Sequence, residues 1–180
     1  MVLVYKGGDR KLVTNYRPVS LNSVVCKQME HVIASYLRQL WYRNYWLCEG
    51  QHGFMSGYLC ESQVTSAYQV IADSLVNEAG LDAIIIDFSK AFDLVPHDWL
   101  LTKFAASGVE LRVVVCIKEF LLGGTQRARG EGQLSEEVRV TSGVPQVSIL
   151  GPLLFLAYVN DICKKTESTI RPFADDCVMH

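Results

Sequence analysis

Ala83-Ile84-Ile85-Ile86-Asp87-Phe88-Ser89-Lys90-Ala91-Phe92-Asp93 is the stretch on which the fold turns. An apolar, largely β-branched run of strand length ends on a carboxylate. It is apolar on both faces, which predicts a central strand covered by helices. An aspartate closing such a strand is costly unless it is paired or bound to a cation. Asp82 and Asp93 flank it five residues before and six after. A second site of the same kind stands 88 positions on. Ser168–Phe173 reads as a strand, Ala174-Asp175-Asp176 as the turn after it, and Cys177–His180 as the start of a return strand. Adjacent aspartates repel, and a divalent cation relieves that repulsion.

Outward from these two strands, the chain alternates helices and turns. Residues 1–23 read as irregular or short-stranded, with turn signals at Gly7-Gly8, Asp9 and Arg17-Pro18. Val25, Met29, Val32, Ile33, Tyr36 and Leu40 recur at three and four, which predicts a helix over Ser23–Leu40 with Ser23 as N-cap. Residues 41–60, rich in Trp, Tyr and Gly, read as a loop carrying Gln51-His52-Gly53-Phe54. Val64, Tyr68, Ile71 and Leu75 form the stripe of a second helix, Glu61–Ala79, that Gly80 stops. Two further helices fit 97–106 and 110–122, divided by Gly108. Residues 125–141 predict a hairpin around Gly130 and Gly132. The apolar run after Ser142-Gly143-Val144-Pro145 is helical with Pro152 in its first turn. This order predicts an α+β fold, with helices packed on an antiparallel sheet.

Composition narrows the function classes. Across 180 residues, 49% are hydrophobic and 20% charged, ample for a core and unlike a disordered chain. The longest apolar run, 149–159, is too short for a bilayer, which needs about 20 residues. The N-terminus lacks the order of a signal peptide. The six cysteines form no C-x-x-C pair, which argues against a zinc ribbon, and free thiols in a reducing compartment are expected. An intracellular protein, of cytoplasm or nucleus and not secreted, follows from the same signals. The net charge of -2 hides a gradient. Residues 1–45 carry +5, residues 46–100 carry -7, and the remainder is neutral. A basic quarter beside an acidic middle suits a protein that grips a polyanion and gathers cations, although charge alone fits a solvated surface as well.

Hard oxygen donors without a Cys/His cluster favour Mg²⁺ or Mn²⁺. Two such ions stabilise the attacking and leaving oxygens of phosphoryl transfer. Each carboxylate alone is a weak signal, since Asp-Asp is common in solvated turns.

The order of motifs is stronger. Asn15-Tyr16-Arg17-Pro18-Val19-Ser20-Leu21, Gln51-His52-Gly53-Phe54, Asp87-Phe88-Ser89-Lys90-Ala91-Phe92-Asp93, Ser142-Gly143-Val144-Pro145-Gln146 and Phe173-Ala174-Asp175-Asp176 follow one another. Together they resemble the successive motifs of reverse transcriptases from non-LTR (LINE-like) retrotransposons, over nearly all of the chain. The resemblance implies a partial right-hand polymerase over 1–180, with fingers over about residues 1–80 and palm over about 81–180, some fingers segments interleaved. It implies RNA-directed DNA synthesis from an RNA template, a DNA primer and deoxynucleoside triphosphates. Asp87 and Asp175 would be catalytic metal ligands, with Asp176 supporting them and the peptide oxygen of Phe88 helping to hold the metal. Phe92 would be a steric gate under the sugar, excluding the 2′-hydroxyl. Gln146 would reach the nucleotide or template strand. Arg17 resembles a basic fingers residue, and Lys6, Arg10 and Lys11 would meet phosphate beside it. His97 and His52 read as structural.

Three departures stand out. Val147 replaces the usual glycine after Gln146, where a β-branched residue tolerates positive φ poorly. Met55 stands where the family usually has a basic residue. The Arg127–Gly132 hairpin also differs. The end of the chain four residues after Asp176 is expected to mean a truncated copy, without thumb and with impaired activity, that Val147→Gly alone would not restore. A non-catalytic RNA-binding remnant is the alternative. A metal-dependent phosphohydrolase would use the same carboxylates, but Phe92 and the Gln146 loop argue against it.

Overall fold

A helix that is apolar all round has to be surrounded by protein. Leu150–Val159, here α5, is that helix, and Leu150, Leu153, Leu154, Phe155, Leu156 and Ala157 are all buried. The computed structural model describes residues 1–48, 50–78, 80–130, 132–164 and 170–179. Against α5 pack α1 (Val24–Arg43) and α3 (His97–Ala106), and α4 (Leu111–Leu122) packs on α3. Trp41 of α1 stacks on Trp46 and tilts against Phe104 of α3, at ring separations of 4.9 and 5.6 Å. Pro152 falls in the first turn of α5, as its missing N–H requires.

The strands form three small sheets. The first is antiparallel, in the order β3-β9-β8, from β3 (Ile84–Asp87), β9 (Asp176–Met179) and β8 (Ile170–Phe173). The second begins with the antiparallel pair β1 (Val2–Tyr5) and β2 (Tyr16–Val19). β1 also receives β5 (Arg129–Gly130) in parallel, and β5 pairs with β6 (Gln133–Leu134). Outside that inner hairpin, β4 (Thr125–Gln126) pairs with β7 (Val138–Arg139). The expected single hairpin over 125–141 is thus two nested pairs, the inner one captured by β1. The mixture of helices and antiparallel sheet agrees with an α+β fold.

Several expectations need correction. β3 is an edge strand, not a central one, and Ile84 and Ile85 are 54% and 77% exposed. The return strand β9 takes the central place, because it pairs with both neighbours. On α1 the buried face is Glu30, Ala34, Leu37 and Trp41, whereas Val25, Met29 and Val32 are exposed. The core stripe lies one residue round from the apolar one, because Glu30 is drawn inward. On α2 (Cys60–Val76) the stripe of Val64, Tyr68, Ile71 and Leu75 is exposed, and Gln63 is the buried residue. Its Nε2 donates to the Arg171 carbonyl at 3.1 Å, which ties the opposite face of the helix to β8. Finally, Cys48 and Cys163 are joined as a disulfide, so the argument from free thiols to a reducing compartment falls. Asn160 brings the two together, since Oδ1 accepts from Cys48 N–H at 2.8 Å and Nδ2 donates to the Trp46 carbonyl at 2.7 Å. The helix expected to reach Ala79 ends earlier, at Val76, where Asn77 forms its C-cap. Ala79 itself, the strand start at Ser168 and the return-strand end at His180 lie outside the described residues.

Other expectations hold. Ser23 caps α1, its Oγ accepting from Cys26 N–H at 3.2 Å. Helices occupy 97–106 and 111–122, and Gly108 between them has φ 76°. No helix among the described residues is long and apolar enough to cross a membrane.

Glu30 is 1% exposed and has four partners. Oε2 accepts from the N–H groups of Ile149 and Leu150, at 2.8 and 3.1 Å, at the start of α5. Oε1 accepts from Asn22 Nδ2 at 2.6 Å and from Cys26 Sγ at 3.6 Å. Glu30→Ala leaves these donors buried and unpaired, and is expected to cost about 3 kcal/mol in urea unfolding. Glu30→Gln, which keeps one acceptor oxygen, should cost clearly less.

Candidate active site

The register of the three-stranded sheet brings the two acidic motifs together. Asp87 lies directly opposite Asp176 across β3 and β9, and Phe173 lies opposite Asp176 across β9 and β8. Ala174 and Asp175 therefore form a two-residue hairpin turn, and Ala174 takes φ 56° to close it. Phe88 N–H donates to the Asp175 carbonyl at 3.3 Å, tying the residue after the first strand to this turn. The Asp176 carboxyl is raised above the usual carboxylate range. Partial burial is the largest cause, followed by the charges of Asp175 and Asp87 and a hydrogen bond with Asp87.

These carboxylates fit a hard divalent cation. Carboxylates this close repel one another, and a divalent cation would relieve that repulsion. No three His, Cys, Asp or Glu side chains among the described residues converge into a cage for one ion. Mg²⁺ sites built from one or two carboxylates and completed by substrate phosphates need no such cage.

The other predicted residues form two further groups. Phe92 is half-buried, stacked on Phe155 of α5 at 5.0 Å and 16°, with Phe54 edge-on at 5.9 Å. Gln146 Nε2 donates to Asp93 Oδ1 at 2.9 Å, and the Gln146 carbonyl accepts from Ser20 N–H at 3.2 Å. The loop holding Gln146 is laced to the segment after β3. Val144 N–H donates to the Phe92 carbonyl at 2.7 Å and Gly143 N–H to the Val95 carbonyl at 2.8 Å. A Cβ at Gly143 would stand 2.8 Å from the Asp93 carbonyl oxygen, so the two backbones touch where only glycine fits. His97, 4% exposed, holds the Gly143 carbonyl through Nε2 at 2.8 Å, a structural role as expected. His52 contacts Ser62 Oγ through Nδ1 at 3.0 Å and packs on Tyr58. Burial first, then the Arg171 charge, lowers its pKa.

Lys6, Arg10, Lys11 and Arg17 lie exposed on β2 and the β1–β2 connection. The Arg10 guanidinium sits over the Tyr5 ring, 5.1 Å from its centroid. Ser20, at the end of β2, is the link from this hairpin to Gln146. The hairpin also borders a cleft of about 680 Å³ lined by Pro18, Leu21, Leu134, Arg139 and Gln146. Neither Asp87 nor Asp175 lines that cleft.

Val147 has φ 64°, the left-handed conformation foreseen for the missing glycine, and its side chain is 69% exposed. Met55 is half-buried and packs against the core. Sequence reading gave no role to Gln51, whose buried amide reaches Ala174, or to Glu30 and its contacts with α5. Asp93 was read as a flanking acid, not as the partner of Gln146. No periodicity marks such residues, because their partners lie far away in the chain.

Comparison with known proteins accords with this arrangement. The family described as "Reverse transcriptase (RNA-dependent DNA polymerase)" matches residues 5–180. The chain is 29% identical over 185 residues to the probable RNA-directed DNA polymerase from transposon X-element of Drosophila melanogaster, covering 99% of this chain and 20% of that protein. It is 31% identical over 194 residues to the probable RNA-directed DNA polymerase from transposon BS of the same species, covering 99% and 21%. The chain thus spans about a fifth of the length of these curated relatives. Among solved structures, apo telomerase from Candida tropicalis truncated from its C-terminal domain superposes with a TM-score of 0.55. It shares 14% identity, over 85% of this chain and 33% of that one, a likeness of fold alone. With a family match over nearly its whole length, the chain belongs to the reverse transcriptases, among relatives encoded by non-LTR retrotransposons.

Proposed function

We propose that the chain is the nucleotidyl-transfer portion of an RNA-directed DNA polymerase, with Asp87 and Asp175 as its metal ligands. The observation that carries this reading is the meeting of Asp87 with Asp176, the neighbour of Asp175, at one end of the β3-β9-β8 sheet. Asp87, Asp175 and the peptide oxygen of Phe88 hold Mg²⁺ or Mn²⁺, and Asp176 supports them. The metal supplies charge stabilisation for the attacking and leaving oxygens. Residues about 1–80 serve as fingers and about 81–180 as palm, with segments interleaved.

The chain's own groups then divide the work. Phe92, steadied by Phe155 beneath and Phe54 at its edge, presents a ring where a sugar's 2′ position would lie. Gln146, its amide fixed by Asp93, faces the nucleotide or template strand. Lys6, Arg10, Lys11 and Arg17 meet phosphate, the contact that dominates nucleic-acid affinity. The partners are an RNA template, a DNA primer and deoxynucleoside triphosphates. Val147 and Met55 weaken turnover, the first by backbone strain beside Gln146 and the second by replacing a cation with an apolar side chain.

Primer extension on an RNA template with Mg²⁺ and deoxynucleotides tests the reading. Incorporation is expected to be slow but above that of Asp175→Asn. Equal incorporation by the two, together with salt-sensitive RNA binding, would replace the polymerase reading with an RNA-binding remnant. Val147→Gly, which removes a β-branched side chain from φ 64°, is expected to stabilise the chain by about 1 kcal/mol in denaturant unfolding. No packing is lost, since the side chain is exposed.

A further inference from the structure

A buried amide stands behind the carboxylate turn, and the polymerase reading leaves it without a role. Gln51 is 4% exposed. Its Oε1 accepts from Gly53 N–H at 2.8 Å and from Ala174 N–H at 3.3 Å. The second bond crosses 123 positions of sequence to reach the Phe173–Ala174 peptide, at the start of the turn that carries Asp175. Ala174 holds φ 56°, a conformation that costs a non-glycine residue about 1 kcal/mol and persists only where surroundings impose it.

The surroundings do impose it. A Cβ at Gly53 would stand 2.0 Å from Ala174 N and 2.8 Å from Phe173 C, so the loop and the turn touch backbone to backbone. His52 N–H donates to the Pro172 carbonyl at 3.3 Å, continuing the contact along β8. On the other side, Phe88 N–H holds the Asp175 carbonyl. The Asp175 turn is therefore gripped from two directions, by the strand that carries Asp87 and by the Gln51–Gly53 loop. A neutral amide suits this place, because a carboxylate there would add charge beside a crowded acidic group.

We propose that Gln51 is a positioning residue of the metal site: its amide oxygen fixes the Ala174 peptide and thereby aims Asp175 relative to Asp87. This inference rests on the reading of Asp87 and Asp175 as metal ligands. Groups that orient ligands from behind typically change metal affinity by about 10–100-fold when removed.

The test is Mn²⁺ titration of the chain, followed by the electron paramagnetic resonance of free Mn²⁺, with thermal unfolding of the same samples. Gln51→Met keeps the shape and removes the acceptor. It is expected to weaken Mn²⁺ binding about tenfold at temperatures where the variant is folded. If Gln51→Met does not fold, Gln51→Asn, which draws the oxygen back by one methylene, carries the same comparison. A lowered unfolding temperature with unchanged Mn²⁺ affinity would mean that Gln51 is merely structural, and would overturn the proposal while leaving the polymerase reading intact. Absence of any Mn²⁺ binding that Asp175→Asn removes would overturn that reading and this proposal with it.

Discussion

The buried carboxylate of Glu30 is the constraint on which much of the remaining architecture depends. It sits at the N-terminus of α5, where unpaired backbone N–H groups and the helix dipole favour negative charge. By accepting from Ile149 and Leu150 it fixes both the axial position of α5 and the rotation of α1. That rotation explains why Ala34, Leu37 and Trp41 are buried and the more obvious stripe of Val25, Met29 and Val32 is exposed. At the other end of α5, Asn160 fastens residues 46 and 48, from which the Gln51–Phe54 loop departs. One apolar helix pinned at both termini thus sets where the loop behind the acidic turn begins.

The candidate site is held by side chains that satisfy backbone groups on other segments. Gln51 holds Ala174, His97 holds Gly143, and Gln63 holds Arg171. Between side chains, Asp93 holds Gln146. Such bonds matter because loops carry the functional groups, and a loop's buried peptide groups need partners that no regular element supplies. The Gln51–Phe54 loop joins two of the groups, since Gly53 abuts the Asp175 turn and Phe54 meets Phe92 edge-on. Phe92 and the Asp175 turn are therefore both set by one loop of four residues.

The motifs made the meeting of the two acidic stretches and the position of the Gln146 loop legible, because each sits on a stretch with its own turn or strand signal. The helices 97–106 and 111–122 were legible for the same reason. Where legibility failed, the failure was one of rotation and order. Periodicity locates a helix but weighs only apolar side chains, so it places an inward glutamate or glutamine on the wet face. It misplaced α1 through Glu30 and α2 through Gln63. Likewise, a β-branched run states strand and not its rank in the sheet. Ile84 to Ile86 read as central, yet β9 lies between the neighbours. The Cys48–Cys163 bond was illegible because a separation of 115 positions gives no hint of the approach that Asn160 arranges.

Val147 shows how such a frame treats a residue that does not suit it. Gln146 is held on one side by Ser20 through its carbonyl and by Asp93 through its amide. On the other side Ser148 is 7% exposed, donates to the Pro145 carbonyl at 3.1 Å and accepts from Gly151 N–H at 2.8 Å. With both neighbours fixed, the residue between them has little choice of φ. The left-handed conformation is therefore a property of the loop and not of its occupant, so a valine there is strained while Gln146 keeps its place. Tertiary contacts worth several hydrogen bonds outweigh about 1–2 kcal/mol of local strain. The strain is a cost in stability, and it falls on the residue next to Gln146.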